Sequence, residues 1–301
     1  MKHSIASVLF AISLLSPGLW AQSRDPLALA NAAVPPGAQR ISYGTDPLQF
    51  GEVRVPATKG PHPVAIVIHG GCWLARLGNT DPRAVAMDNM RPLAAALTEA
   101  GIATWNIEYR RLGNDGGGWP GTFRDVAAGA DFLRTLARDR QLDLTRVIAV
   151  GHSAGAHLAL WLASRHKLTA ASDLYTKDPI RLTGAVSLDG PADLQATIPL
   201  QQSICRAPVI TDLIGGSPEQ QPQRYRDASP IALLPLGVRH VFVTGQMFGS
   251  HSAPYAAAVK KAGEAAEVIP FPGAGHFVFI DPESMIWPEV MKSVRQMLAM
   301  P

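Results

Sequence analysis

Charge is scarce in this chain of 301 residues, where Asp, Glu, Lys and Arg make up 17% against 47% hydrophobic residues. That balance excludes a disordered polymer and suits a buried sheet. The 27 basic and 24 acidic side chains are scattered along the chain, so the formal charge of +3 leaves no nucleic-acid footprint and no such partner is expected. Aromatic residues reach only 7%, few enough that the core takes most of them. There are two cysteines, Cys72 and Cys205, too few for a disulfide-dense scaffold. No His/Cys cluster has metal-ligand spacing, so neither a metal nor an organic cofactor is expected. Internal repeats are lacking too, and the one long apolar stretch, Ile5 to Leu15, is broken at Pro17-Gly18. That is short of the roughly 20 residues a membrane span needs.

Lys2, the short apolar core and the small Ala21 read as an export signal over residues 1–21, which implies a periplasmic or secreted protein with no stable membrane span once the signal is gone. Residues 22–45, with Pro26, Pro35, Pro36 and Gly44, read as a leader that lies over the surface or is mobile. Residues 46–301 are expected to form one domain. In an exported chain Cys72 and Cys205 permit a disulfide, but two separate thiols fit the sequence nearly as well.

Within that domain, apolar runs at 64–68, 102–107, 146–150, 184–188, 238–243 and 268–271 alternate with helical stretches, after an early antiparallel strand over 49–55. Later helices are expected at 255–262 and 285–300. The pattern predicts an α/β protein with a mostly parallel central sheet and helices on both faces. The Pro-rich stretch of about 195–235 lacks periodicity and reads as a lid-like insertion.

The strand at 146–150 runs into Gly151-His152-Ser153-Ala154-Gly155 and then a helix, the setting of a nucleophile elbow in which a strained turn exposes the serine. Upstream, a buried strand feeds His69-Gly70-Gly71-Cys72-Trp73, a loop able to supply oxyanion donors. Downstream, Gly273-Ala274-Gly275-His276-Phe277 places a histidine on a glycine-rich loop after the last strand.

These pieces, with Asn106-Ile107-Glu108-Tyr109-Arg110 and Gly116-Gly117-Gly118-Trp119-Pro120, resemble the α/β-hydrolase superfamily, nearest its bacterial esterase/lipase-like branch that includes kynurenine formamidases and hormone-sensitive-lipase relatives. The resemblance spans most of the chain after the signal. It implies Ser153 as nucleophile, His276 as general base, and the backbone N–H groups of Gly71, Cys72 and Ala154 as the oxyanion hole. His69, His152 and His157 are expected to be structural.

The branch usually carries its triad acid just after the strand that ends here at Val243, yet Gly245-Gln246-Met247-Phe248-Gly249 holds no carboxylate. Asp189 and Asp193 follow the neighbouring strand. Leu188-Asp189-Gly190-Pro191-Ala192 resembles the aspartate context of pancreatic lipases, so Asp189 is the expected acid, with Asp193 as a helix cap. The alternatives are Asp193 as the acid, or no acid at all. The function expected is a serine carboxylesterase acting on a small ester, with Tyr109, Trp119 and Phe248 either pocket walls or, as is more usual for so few aromatics, core. An amidase, peptidase or formamidase of the same fold, or a weakened binding protein, are the other readings. The oligomeric state is left open.

Overall fold

The computed structural model describes residues 24–300, so the expected export signal lies outside the described residues. Strands β1 (Gln39–Ser42), β2 (Phe50–Arg54), β3 (His62–Ile68), β4 (Ala103–Ile107), β5 (Leu142–His152), β6 (Gly184–Leu188), β7 (Arg239–Thr244) and β8 (Ala266–Pro270) form one sheet in the order β1-β2-β4-β3-β5-β6-β7-β8. The β1–β2 and β2–β4 pairs are antiparallel and every pair from β4 to β8 is parallel.

The middle strands are continuous apolar runs because both of their faces are covered. Alternate side chains of β3 serve opposite cores: Ile66 and Ile68 pack with Phe123, Leu158, Trp161 and Tyr255, whereas Ala65 and Val67 pack with Leu93, Leu97, Val290 and Val294. Helices Gly121–Asp131, Ala154–Ser164 and Gly249–Lys261 thus cover one face, and Arg91–Glu99 and Trp287–Met297 the other.

Part of the stretch read as a leader is built into the body of the protein. Pro26–Ala30 is a short helix capped by Asp25, its Leu29 fully buried in the second core, and β1 adds an edge strand to β2. The Arg54 guanidinium fixes the intervening chain through the Pro35 carbonyl at 2.8 Å. A four-residue edge strand that is almost wholly exposed has no apolar alternation by which to be recognised. The helix expected at 255–262 begins earlier, at Gly249, and carries Pro254 inside it. Residues 195–235 contain the helices Gln201–Cys205, Val209–Ile214 and Pro222–Ala228, with Val209, Ile210, Leu213 and Tyr225 packed into the first core. Among the described residues no helix is long and apolar enough to cross a membrane.

Candidate active site

Parallel strands point their C-terminal ends the same way, so the loops after β3, β5, β6, β7 and β8 gather at one edge of the sheet, where ligands of such sheets bind. The expected catalytic and oxyanion residues sit on these loops or, for Ala154, at the start of the helix after β5.

Ser153 follows β5 and opens the helix Ala154–Ser164 with φ 55° and ψ −122°, a conformation that L-residues resist. Its N–H donates to the Leu188 carbonyl at 3.0 Å, tying the elbow to β6. The flanking glycines are needed for close approach: a Cβ on Gly151 would strike the Gly155 carbonyl, and one on Gly155 the carbonyls of Ile68 and His69. Ala154 is the first helical residue, so its N–H has no carbonyl to meet within the helix.

The loop after β3 crosses directly over the serine. A Cβ on Gly70 would lie 2.7 Å from the Ser153 Cβ and 2.8 Å from the His152 carbonyl, which only glycine avoids. Gly71, Cys72 and Trp73 then take φ of 103°, 56° and 55° in succession.

His276 begins the turn after the β8 loop, and its Nδ1 lies 2.7 Å from Oδ2 of Asp189. A carboxylate only accepts, so Nδ1 carries the proton and Nε2 keeps its lone pair, the form a general base needs. Asp189 is fully buried, and its Oδ1 accepts the N–H groups of Gly245 at 2.9 Å and Phe248 at 3.2 Å. The loop that lacks an acid of its own therefore supplies two donors to the acid of the neighbouring strand. These bonds, with the Asp189 N–H on the Val243 carbonyl, over-determine an aspartate held at φ 45°. Asp193 is placed elsewhere: it caps the helix Leu194–Thr197 through the Ala196 N–H at 3.1 Å.

The other histidines pack. His152 donates from Nε2 to the His276 carbonyl at 2.9 Å, its ring centroid 4.3 Å from that of His276. Burial and the adjacent His276 push it well below the usual histidine range, so it stays neutral. His157 donates to the Ala228 carbonyl at 2.8 Å, and burial lowers it to about 4. His69 bonds the Gly70 carbonyl at 2.8 Å and Glu108 at 3.0 Å, and it stacks on Tyr109, whose hydroxyl donates to the His69 carbonyl.

Glu108 and Arg111 were not assigned a role from the sequence. Glu108 is buried against His69 and lies 3.2 Å from Arg111, which also donates to the Val85 carbonyl at 2.6 Å. Burial opposes the charge on Glu108, but the facing His69 ring, Arg111 and the Tyr109 N–H outweigh it and hold the carboxyl at about 2. The cluster braces the glycine loop from beneath. Its one signal in the sequence is a charged pair, Glu108 and Arg111, directly after a buried strand.

Ser153, His276, Gly71 and Cys72 share the wall of a cavity of about 170 Å³ with Leu77, Val85, Ile204, Met247 and Phe277. Of the three aromatics weighed as pocket walls or core, none lines it. Tyr109 is fully buried beneath His69, Phe248 is buried beside the His276 ring, and Trp119 bonds Asp173 at 3.1 Å. Cys72 and Cys205, left open by the sequence, are joined in a disulfide. Among the described residues no group of three or more His, Cys, Asp or Glu is placed to hold a metal.

The BD-FAE family model matches residues 53–243. Esterase B of Lactobacillus rhamnosis is 22% identical, with 92% of this chain and 89% of that one covered at a TM-score of 0.69. The propionate-bound esterase Est2 of Thermogutta terrifontis is 20% identical, with 88% and 94% covered at 0.67. The acetyl ester-xyloside bifunctional hydrolase of Caldicellulosiruptor lactoaceticus is 18% identical, with 89% and 99% covered at 0.67. The chain spans 38% of the length of a bifunctional GH43-CE protein of Bacteroides eggerthii, to which it is 21% identical over 86% of its own length at 0.69. These likenesses establish the fold. No curated protein matches the chain.

Proposed function

The chain belongs to the BD-FAE family, an esterase family of the α/β-hydrolase fold, and from that premise we propose that it is a serine carboxylesterase working through an acyl-enzyme. Ser153 attacks the ester carbonyl while His276 Nε2 takes the hydroxyl proton. Asp189 holds the imidazole in its tautomer and stabilises the imidazolium that forms. The N–H groups of Ala154, Gly71 and Cys72 receive the developing oxyanion. His276 then protonates the departing alcohol, and a water deprotonated by the same ring releases the acid. The observation that carries this reading is the bond His276 donates to Asp189, with His276 and Ser153 in the wall of one cavity.

The cavity is smaller than the roughly 300–1,000 Å³ typical of sites for drug-sized ligands, and its side walls are mostly apolar. That favours a short acyl group, from acetyl to butyryl. Similarity to proteins named as a carbohydrate esterase and an acetyl ester-xyloside hydrolase supports a sugar hydroxyl on the alcohol side. The reading includes export, which the disulfide supports because such bonds persist in oxidising compartments. Kinetics on p-nitrophenyl acetate, butyrate and octanoate and on an acetylated xylo-oligosaccharide, with Ser153→Ala as control, test it. Short esters are expected to turn over fastest and Ser153→Ala to abolish turnover. Faster cleavage of an anilide or N-formyl substrate would replace the ester reading by the amidase one.

A further inference from the structure

We propose that the Cys72–Cys205 disulfide positions the oxyanion hole and closes the acyl side of the cavity, so that Cys205 acts on the reaction through Cys72. The inference rests on the serine-esterase reading above. Cys72 is the middle of three consecutive residues at positive φ, and of the three only Gly71 is free of the Cβ clash that disfavours that conformation. Its neighbours are held by other contacts: the Leu74 N–H bonds the Gly71 carbonyl at 2.9 Å, and the Leu112 N–H bonds the Trp73 carbonyl at 2.9 Å. The side chain of Cys72 itself is tied by its sulfur to a residue 133 positions away.

The other end of the bond closes the five-residue helix Gln201–Cys205, too short to persist unaided. That helix is seated by the Gln201 side chain on the Ile210 N–H at 2.9 Å and by the disulfide. Ile204, adjacent to Cys205, contributes to the cavity wall beside Cys72. One covalent joint thus sets two things at once: the direction of a backbone donor and the place of an apolar wall. A dithiol reductant opens it by delivering two electrons and two protons, leaving two thiols and its own disulfide. Cys72 is then free to leave the left-handed region and turn its N–H from the oxyanion, while Ile204 is free to draw back.

An oxyanion donor acts on the transition state more than on bound substrate, so the effect falls on kcat and spares KM. Complete loss of one donor lowers kcat by about 10²–10³-fold. Misdirection of the Cys72 N–H is therefore expected to lower it by about 10–100-fold. The octanoate-to-acetate ratio of kcat/KM is expected to rise as the wall loosens.

The test uses the full-length enzyme as oxidised wild type, dithiothreitol-reduced wild type, Cys205→Ala and Cys205→Ser, at a temperature where circular dichroism shows each folded and a thiol count confirms its state. Inhibition by butaneboronic acid, which forms a tetrahedral adduct on the serine, reads the oxyanion hole separately from substrate binding. The inference predicts that kcat and boronate affinity fall together with KM nearly unchanged, and that reoxidation of reduced wild type restores both. Unchanged kcat with two free thiols overturns it, as does a loss of activity that follows unfolding alone. An oxidised wild type that is inactive, or as active as Ser153→Ala, refutes the serine-esterase reading instead.

Discussion

Replacing Asp189 by asparagine changes one atom of the side chain and, on this geometry, inverts the histidine tautomer. Three donors face the carboxylate: the N–H groups of Gly245 and Phe248 on Oδ1, and His276 Nδ1 on Oδ2. An asparagine has a single carbonyl oxygen. Set toward His276, it would leave an NH₂ against two buried backbone N–H groups, at about 1–3 kcal/mol for each unsatisfied donor. Set toward the loop, it satisfies both and turns the NH₂ on His276 Nδ1, which must then accept. The ring proton moves to Nε2, and the base facing Ser153 is lost. The expected result is a fall in kcat of about 10⁴-fold, equivalent to about 5.5 kcal/mol of transition-state stabilisation, with KM little changed. Steady-state kinetics on p-nitrophenyl butyrate, with thermal unfolding as a control, measures it. Asp193→Asn is expected to leave kcat unchanged and to weaken at most a helix cap. An Asp189→Asn enzyme within about tenfold of wild type, or an Asp193→Asn enzyme that is crippled, would refute the assignment of the acid.

Two further predictions concern stability. His157 is buried and lowered to about 4, so below the ordinary histidine value of 6.5 the unfolded chain binds a proton that the native protein does not. The protein therefore loses stability as pH falls from 6.5 towards 4, by about 3 kcal/mol from this residue, with His152 adding in the same direction. Urea unfolding at pH 7.5, 5.5 and 4.5 measures the slope, and His157→Gln, which keeps the donor to Ala228, flattens it; equal slopes contradict the account. Glu108→Gln leaves the Arg111 charge buried without its partner, a change expected to cost about 3–5 kcal/mol and to lower kcat by loosening the glycine loop. A variant with wild-type melting temperature and kcat would remove the cluster from the support of that loop.

What was legible in the sequence was local. Ser153 and His276 stand in glycine-rich turns whose spacing follows from close approach: Gly151, Gly155 and Gly70 sit where a Cβ has no room. The choice of Asp189 over Asp193 rested on its residue context. Its physical basis, two N–H groups arriving from the β7 loop, needed the pairing of β6 with β7 to be seen. The Cys72–Cys205 bond stayed one of two open readings, and the roles of Glu108 and Arg111 stayed hidden, because both depend on which distant segments meet. Charged side chains next to a strand read alike whether they are buried or solvated. Tyr109, Trp119 and Phe248 could be weighed only by base rate for the same reason, since aromatic character does not tell a pocket wall from a packed core. Helix Pro26–Ala30 was missed because a single buried leucine anchors it.

The central claim is that Ser153 is the nucleophile activated by His276 in one pocket. It is met most directly by reacting the enzyme with a fluorophosphonate and mapping the adduct by mass spectrometry. The account predicts one adduct per chain, on Ser153, and its loss in His276→Ala. An adduct on another serine, or undiminished labelling of Ser153 without His276, would contradict it.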